Sequence, residues 1–121
     1  MGSGARIQPP LGEPKFLLLL GLHKGPRHGW GLRGWVRDVT GARVQLRGGA
    51  LFDNLQRLLD GGYVLRVEDP QAGRTRRCRK FYALTESGRK LARAEMARVE
   101  QLAAVIQMVD GEERRNTAQV A

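Results

Sequence analysis

A chain of 121 residues, 41% of them hydrophobic, is sized for one domain with a single modest core. Its longest apolar run, FLLLLGL at residues 16–22, falls far short of the ~20 residues a membrane span needs, so no membrane partner is expected. The single cysteine, Cys78, excludes an intramolecular disulfide framework and fits a reducing cytoplasm.

The charge balance points to a partner. Lys and Arg number 21 against 12 Asp and Glu, a formal net charge of +9. Such an excess is the footprint of a nucleic-acid binder, although an anionic membrane or an acidic protein would use it too. Most of the basic residues are arginine, which suits forked recognition of phosphate and guanine.

Residues 1–12 carry Gly, Ser and Pro without a period and are expected as a flexible arm, with no charged–apolar–small leader pattern. From Glu13 the pattern changes. Glu13 and Pro14 suit a first helical turn, and residues 16–22 leave almost no polar face, so this helix is expected buried in a core or against another subunit. Gly25-Pro26 ends it. Trp30, Leu32, Trp35, Val36 and Val39 form a second helical stripe, stopped at Thr40-Gly41. A short extended connection, ARVQLR, follows. Leu51, Phe52, Leu55, Leu58 and Leu59 then lie on one face of a third helix, bracketed by Gly48-Gly49 and Gly61-Gly62. YVLRVED and CRKFYAL read as two strands of a hairpin with a long basic tip. Thr85 caps a last helix, with Glu86 in its first turn and Gly88 as a flaw. Leu91, Ala92, Met96, Val99, Leu102, Ala103, Ile106 and Val109 give that helix a stripe wider than one small domain needs. The polar residues 110–121 are expected to fray. The order helix, helix, helix, hairpin, helix predicts an α+β winged helix-turn-helix over residues 13–84, followed by a dimerisation helix over 85–109.

Three motifs carry a family resemblance. EPKFLLLLGLHKGPRHGWGL resembles the opening of PadR-type transcriptional regulators, short subfamily. GGALFDNLQRLLDGGYV is similar to the recognition helix of that family, and RRCRKFYALTESGRKL to its wing and exit. The resemblance implies a repressor that binds a near-palindromic operator on double-stranded DNA as a homodimer. It implies pairing of the last helix with the first helix of a second copy, and, in some members, a small hydrophobic effector in that interface. Three positions depart from the family pattern: Trp30, Ala50 and Phe52 stand where Tyr, Thr and Tyr are usual. Each change removes a hydroxyl, worth ~1 kcal/mol as a hydrogen bond. Gly48-Gly49 also replaces a usual Pro and frees backbone N–H groups at a helix start, a seat for phosphate.

The candidate DNA contacts fall in three groups. Lys15, His28 and Trp30 precede the recognition helix. Arg47, Gly48, Gly49, Asn54 and Arg57 belong to it, Arg suiting guanine and Asn adenine. Arg74, Arg76, Arg77, Arg79 and Lys80 form the hairpin tip, suited to backbone or minor groove. His28 reads equally as a structural residue of the turn, and Asp53 and Asp60 oppose phosphate. Phe16, Leu17, Leu20, Leu91, Met96, Val99, Leu102, Ala103 and Ile106 are the candidate dimer interface. No nucleophile–base pair, paired carboxylates, phosphate loop or metal-spaced cluster is visible, so neither an enzyme nor a cofactor is expected. A second reading keeps the winged-helix dimer but reduces its sequence specificity, as a protein-interaction or DNA-coating module.

Overall fold

The computed structural model describes residues 6–68 and 81–120. Helix α1 (Glu13–His23) is followed by a two-residue strand β1 (Arg27–His28), helix α2 (Gly29–Val39) and helix α3 (Gly48–Asp60). Strands β2 (Val64–Val67) and β3 (Phe81–Leu84) lead into helix α4 (Glu86–Val120). The three strands form one antiparallel sheet in the order β1-β3-β2. Three helices and a small sheet with a long final helix are the α+β winged-helix arrangement expected from the sequence.

The core is a cluster of leucines from α1, α2 and α3, closed by Val36, Val64, Tyr82, Leu91 and Ala92. Leu51, Leu55 and Leu58 of α3 are buried at the helical spacing anticipated for them. Leu18, Leu19 and Leu22 play the same part for α1, while Phe16, Leu17 and Leu20 stay half-buried. Close approach of α1 to α2 depends on Gly21, where an added Cβ would stand 2.9 Å from Trp35 Cε3.

Four features differ from the sequence expectations. First, β1 occupies Arg27–His28, where only a helix stop was anticipated; two residues are too few for a period to register. Second, Gly88 is a requirement and no flaw. A Cβ there would overlap the Tyr63 carbonyl oxygen. That contact sits inside a knot: Thr85 N–H donates to Tyr63 O at 3.1 Å, Thr85 Oγ1 donates to Gly62 O at 2.7 Å, and Gly88 N–H donates back to Thr85 Oγ1 at 3.0 Å. Thr85 is thus the expected cap, and it also ties the hairpin to α4. Gly62 turns the chain into β2 with φ +79°, a left-handed conformation that suits glycine.

Third, residues 6–12, expected as part of a free arm, are docked. The Tyr63 hydroxyl accepts from Ile7 N–H at 3.1 Å and donates to Ile7 O at 3.2 Å. Leu11 is buried, and its N–H donates to Glu95 Oε2 at 2.9 Å. Fourth, α4 does not end near residue 109 but runs to Val120. An Asp110–Arg114 pair at 3.1 Å, one turn apart, and a Thr117 Oγ1 bond to Glu113 O at 2.9 Å lie in the stretch expected to fray.

Candidate nucleic-acid interface

The helix-turn-helix places α3 across α2, with its leucine face inward and Gly49, Ala50, Asp53, Gln56, Arg57 and Asp60 outward. Arg47 is the N-cap of α3, in extended conformation and exposed, and its side chain makes no capping bond. The first-turn N–H groups of Gly48, Gly49 and Ala50 therefore keep the partial positive charge of a helix start. The glycines sit where the sequence placed them, with Gly48 half-buried and Gly49 exposed.

Trp30 on α2 lies beside this helix start and is 58% exposed. Its indole meets Phe52 edge-on, ring centroids 5.6 Å apart at 85°. An added Cβ on Gly48 would lie 3.6 Å from Trp30, in van der Waals contact with the indole, which places the helix start against Trp30. Phe52 in turn fills the space that a side chain at Gly29 would need, at 2.8 Å. Arg33 completes the cluster, its guanidinium carbon 5.4 Å from the Trp30 ring centroid. Arg33 was absent from the sequence candidates. Its position one turn after Trp30 was the signal available, since residues three apart share a helix face.

The structure sorts the remaining candidates. Arg57 lies on the exposed face, its Nε 3.7 Å from Asp53 Oδ2. Such an exposed pair contributes only ~0.3–0.5 kcal/mol and yields readily to a better partner. Asn54 is not a free amide: its oxygen accepts from Lys15 Nζ at 3.1 Å, and its NH2 donates to Ala50 O at 2.8 Å. Lys15 and Asn54 thus tie α1 to α3. His28 is the N-cap residue of α2, without a side-chain capping bond; it is half-buried, its ring centroid 4.5 Å from that of Phe81. Arg74, Arg76, Arg77, Arg79 and Lys80, with Cys78, lie outside the described residues.

The interface candidates divide in the same way. Leu91 is buried in the chain's own core, and Met96 packs against it. Leu91 therefore has no surface to offer a second chain. Val99, Leu102, Ala103 and Ile106 are exposed, joined by Val105, Met108 and Val109. The large members of this set range from 39% exposed at Val99 to 66% at Ile106. Residues 99, 102, 106 and 109 repeat at three and four, the spacing of a helix seam.

Among the described residues one carboxylate is buried. Glu95 is 1% exposed and accepts from Arg98 Nε and Nη2 at 2.7 and 2.8 Å, besides Leu11 N–H. The Arg98 hydrogen bonds hold its carboxyl below the usual range against the opposing effect of burial, and Leu11 N–H adds to them. Glu13 is lowered likewise by its two bonds to Arg43, on the surface. Among the described residues no group of three His, Cys, Asp or Glu could hold a metal ion, and no helix is long and apolar enough to cross a membrane.

Residues 17–94 match the model of the "Transcriptional regulator PadR-like family". The chain belongs to that family. Its members are transcriptional regulators, not enzymes. No curated protein matches the sequence. Among solved structures, the chain is similar to a PadR family transcription regulator from hypervirulent Clostridium difficile R20291, with a TM-score of 0.70 at 18% identity, covering 81% of this chain and 98% of that one. It is similar to a transcriptional regulator from Clostridium thermocellum, with a TM-score of 0.66 at 20% identity, covering 78% and 87%. It is also similar to PadR from Bacillus subtilis, solved in complex with operator DNA, with a TM-score of 0.59 at 23% identity, covering 68% of this chain and 45% of that one. These likenesses show the shared fold.

Proposed function

We propose that the chain is a repressor that binds a near-palindromic operator as a homodimer, with α3 in the major groove. The observation that carries this reading is the outward face of α3. Its uncapped start, Arg47 and the exposed Trp30 form one contiguous edge on a chain of net charge +9. The similarity to a regulator solved with operator DNA supports it. The bare α4 face from Val99 to Val109 supports pairing with a second copy, which would bring two α3 helices ~34 Å apart, one turn of DNA. Met108 gives that seam a soft, adaptable element, with the half-buried Met96 where the seam meets the core, and a small hydrophobic effector would act there by shifting the two α3 helices.

A second reading has its own observation. Asp53 pairs with Arg57, and Asp60 accepts from Gln56 Nε2 at 2.8 Å, so two acids stand on the face turned to DNA. This favours a winged-helix dimer of low sequence specificity, coating DNA or binding protein. Sedimentation equilibrium and titration of duplexes separate the two. The operator reading expects two chains per duplex and an affinity for one sequence that exceeds that for scrambled DNA by ~10³ or more. Equal affinity for both duplexes contradicts it.

A further inference from the structure

We propose that Arg33 is a phosphate-binding residue, pre-set by Leu46 and Trp30 to grip the DNA backbone beside the start of α3. The inference rests on the DNA-binding reading and adds a contact to it. Arg33 Nε donates to the Leu46 carbonyl at 2.6 Å. Leu46 is buried two residues ahead of α3, so this bond fixes the guanidinium to a rigid point at the helix entrance. The guanidinium carbon stands 5.4 Å from the Trp30 ring centroid, and Trp30 is itself braced edge-on by Phe52.

A guanidinium held over an indole by cation–π attraction keeps its outward N–H groups free to donate. One edge of the Arg33 fork is occupied by Leu46. Among the described residues, its two terminal nitrogens have no hydrogen-bond partner and no acid forms a salt bridge with it. Arg57, by contrast, already faces Asp53. A half-immobilised fork with an uncompensated charge, at a surface edge that also carries an exposed tryptophan and free backbone N–H groups, matches a phosphodiester oxygen. It does not require a base. The ordering cost of the side chain is met in the free protein, which favours binding. A phosphate contact positions the protein and carries no sequence information, so its loss weakens all sequences alike.

The test uses the full chain, its selected duplex and a salt series. Arg33→Ala should weaken binding about tenfold, as loss of one charge-assisted hydrogen bond does. It should also reduce the slope of log affinity against log salt by ~0.9, one fewer counterion released. Arg33→Lys keeps the slope and loses part of the affinity. Duplexes with a single uncharged methylphosphonate, scanned along each strand, should weaken the wild type at one position per half-site and leave Arg33→Ala indifferent there. A purely structural role would lower the active fraction or the Tm without moving the slope. An unchanged slope and an unchanged methylphosphonate profile in Arg33→Ala overturn the proposal, while the wild type still binding DNA keeps the wider reading. If Arg33→Ala does not fold, Arg33→Gln replaces it. A wild type indifferent to every methylphosphonate overturns the proposal without any variant, and a wild type that binds no duplex overturns both readings.

Discussion

Glu95→Gln exposes what holds α4 and the N-terminal segment to the core. The wild-type carboxylate is 1% exposed and accepts three hydrogen bonds, at 2.7 and 2.8 Å from Arg98 and 2.9 Å from Leu11 N–H. Glutamine offers one acceptor oxygen, and its NH2 group must face a donor. Bonds to a charged partner contribute ~1.5–3 kcal/mol each. Arg98 is 35% exposed, so its guanidinium regains water and its share is discounted. The net cost is then about 2 kcal/mol, or roughly 8 °C in Tm for a chain of this size. The effect depends on pH in a fixed direction. Arg98 holds the folded-state carboxyl below its ordinary 4.5. A group lowered on folding stabilises the protein above its unfolded-state pKa, and that contribution is lost as pH falls through the folded-state value. Urea denaturation should therefore separate the two proteins at pH 7, and the gap should narrow progressively as pH falls below 4.5. A difference under ~0.5 kcal/mol at pH 7, the scatter of ordinary surface changes, would refute the reasoning. So would a gap that persists undiminished in acid.

Three further outcomes follow from the same structure. Gly88→Ala drives a Cβ into the Tyr63 carbonyl and should cost ~1–3 kcal/mol as overpacking at the hairpin–α4 junction; an unchanged urea midpoint would contradict the close contact. Arg57→Ala breaks only an exposed pair, so Tm should hold, while base preference relaxes by ~1–3 kcal/mol at one operator position if Arg57 reads a base. Retention of the full preference assigns base reading elsewhere. Leu102→Glu with Ile106→Glu places two acids on the bare face of α4 and should yield a monomer in sedimentation that no longer binds an inverted repeat. A dimer that survives both changes places the seam off this face.

The sequence made much of this legible, because periodicity reports burial. The leucines of α3 and the start of the α4 stripe, Leu91 and Ala92, are buried where their spacing puts them, and Thr85 is the cap its type suggests. Contacts distant in sequence were not legible. Gly88 read as a weak point because its neighbour, the Tyr63 carbonyl, lies 25 positions away in sequence. The docking of Ile7 and Leu11 depends on Tyr63 and Glu95, which no local pattern joins to them. No local pattern marks Glu95 as buried. Asn54 matched a base-reading residue by type and position, yet Lys15, on another helix, occupies its oxygen. Arg33 had one legible neighbour, Trp30 one turn away, but its bond to Leu46, 13 positions on, came only with the fold.

Selection of bound fragments from a random DNA pool, at low and at near-physiological salt, tests the central claim most directly. A sequence-reading dimer recovers one inverted repeat at both salts, its half-sites about one helical turn apart. Retention without enrichment, lost as salt rises, would contradict that claim and leave a basic surface that coats DNA.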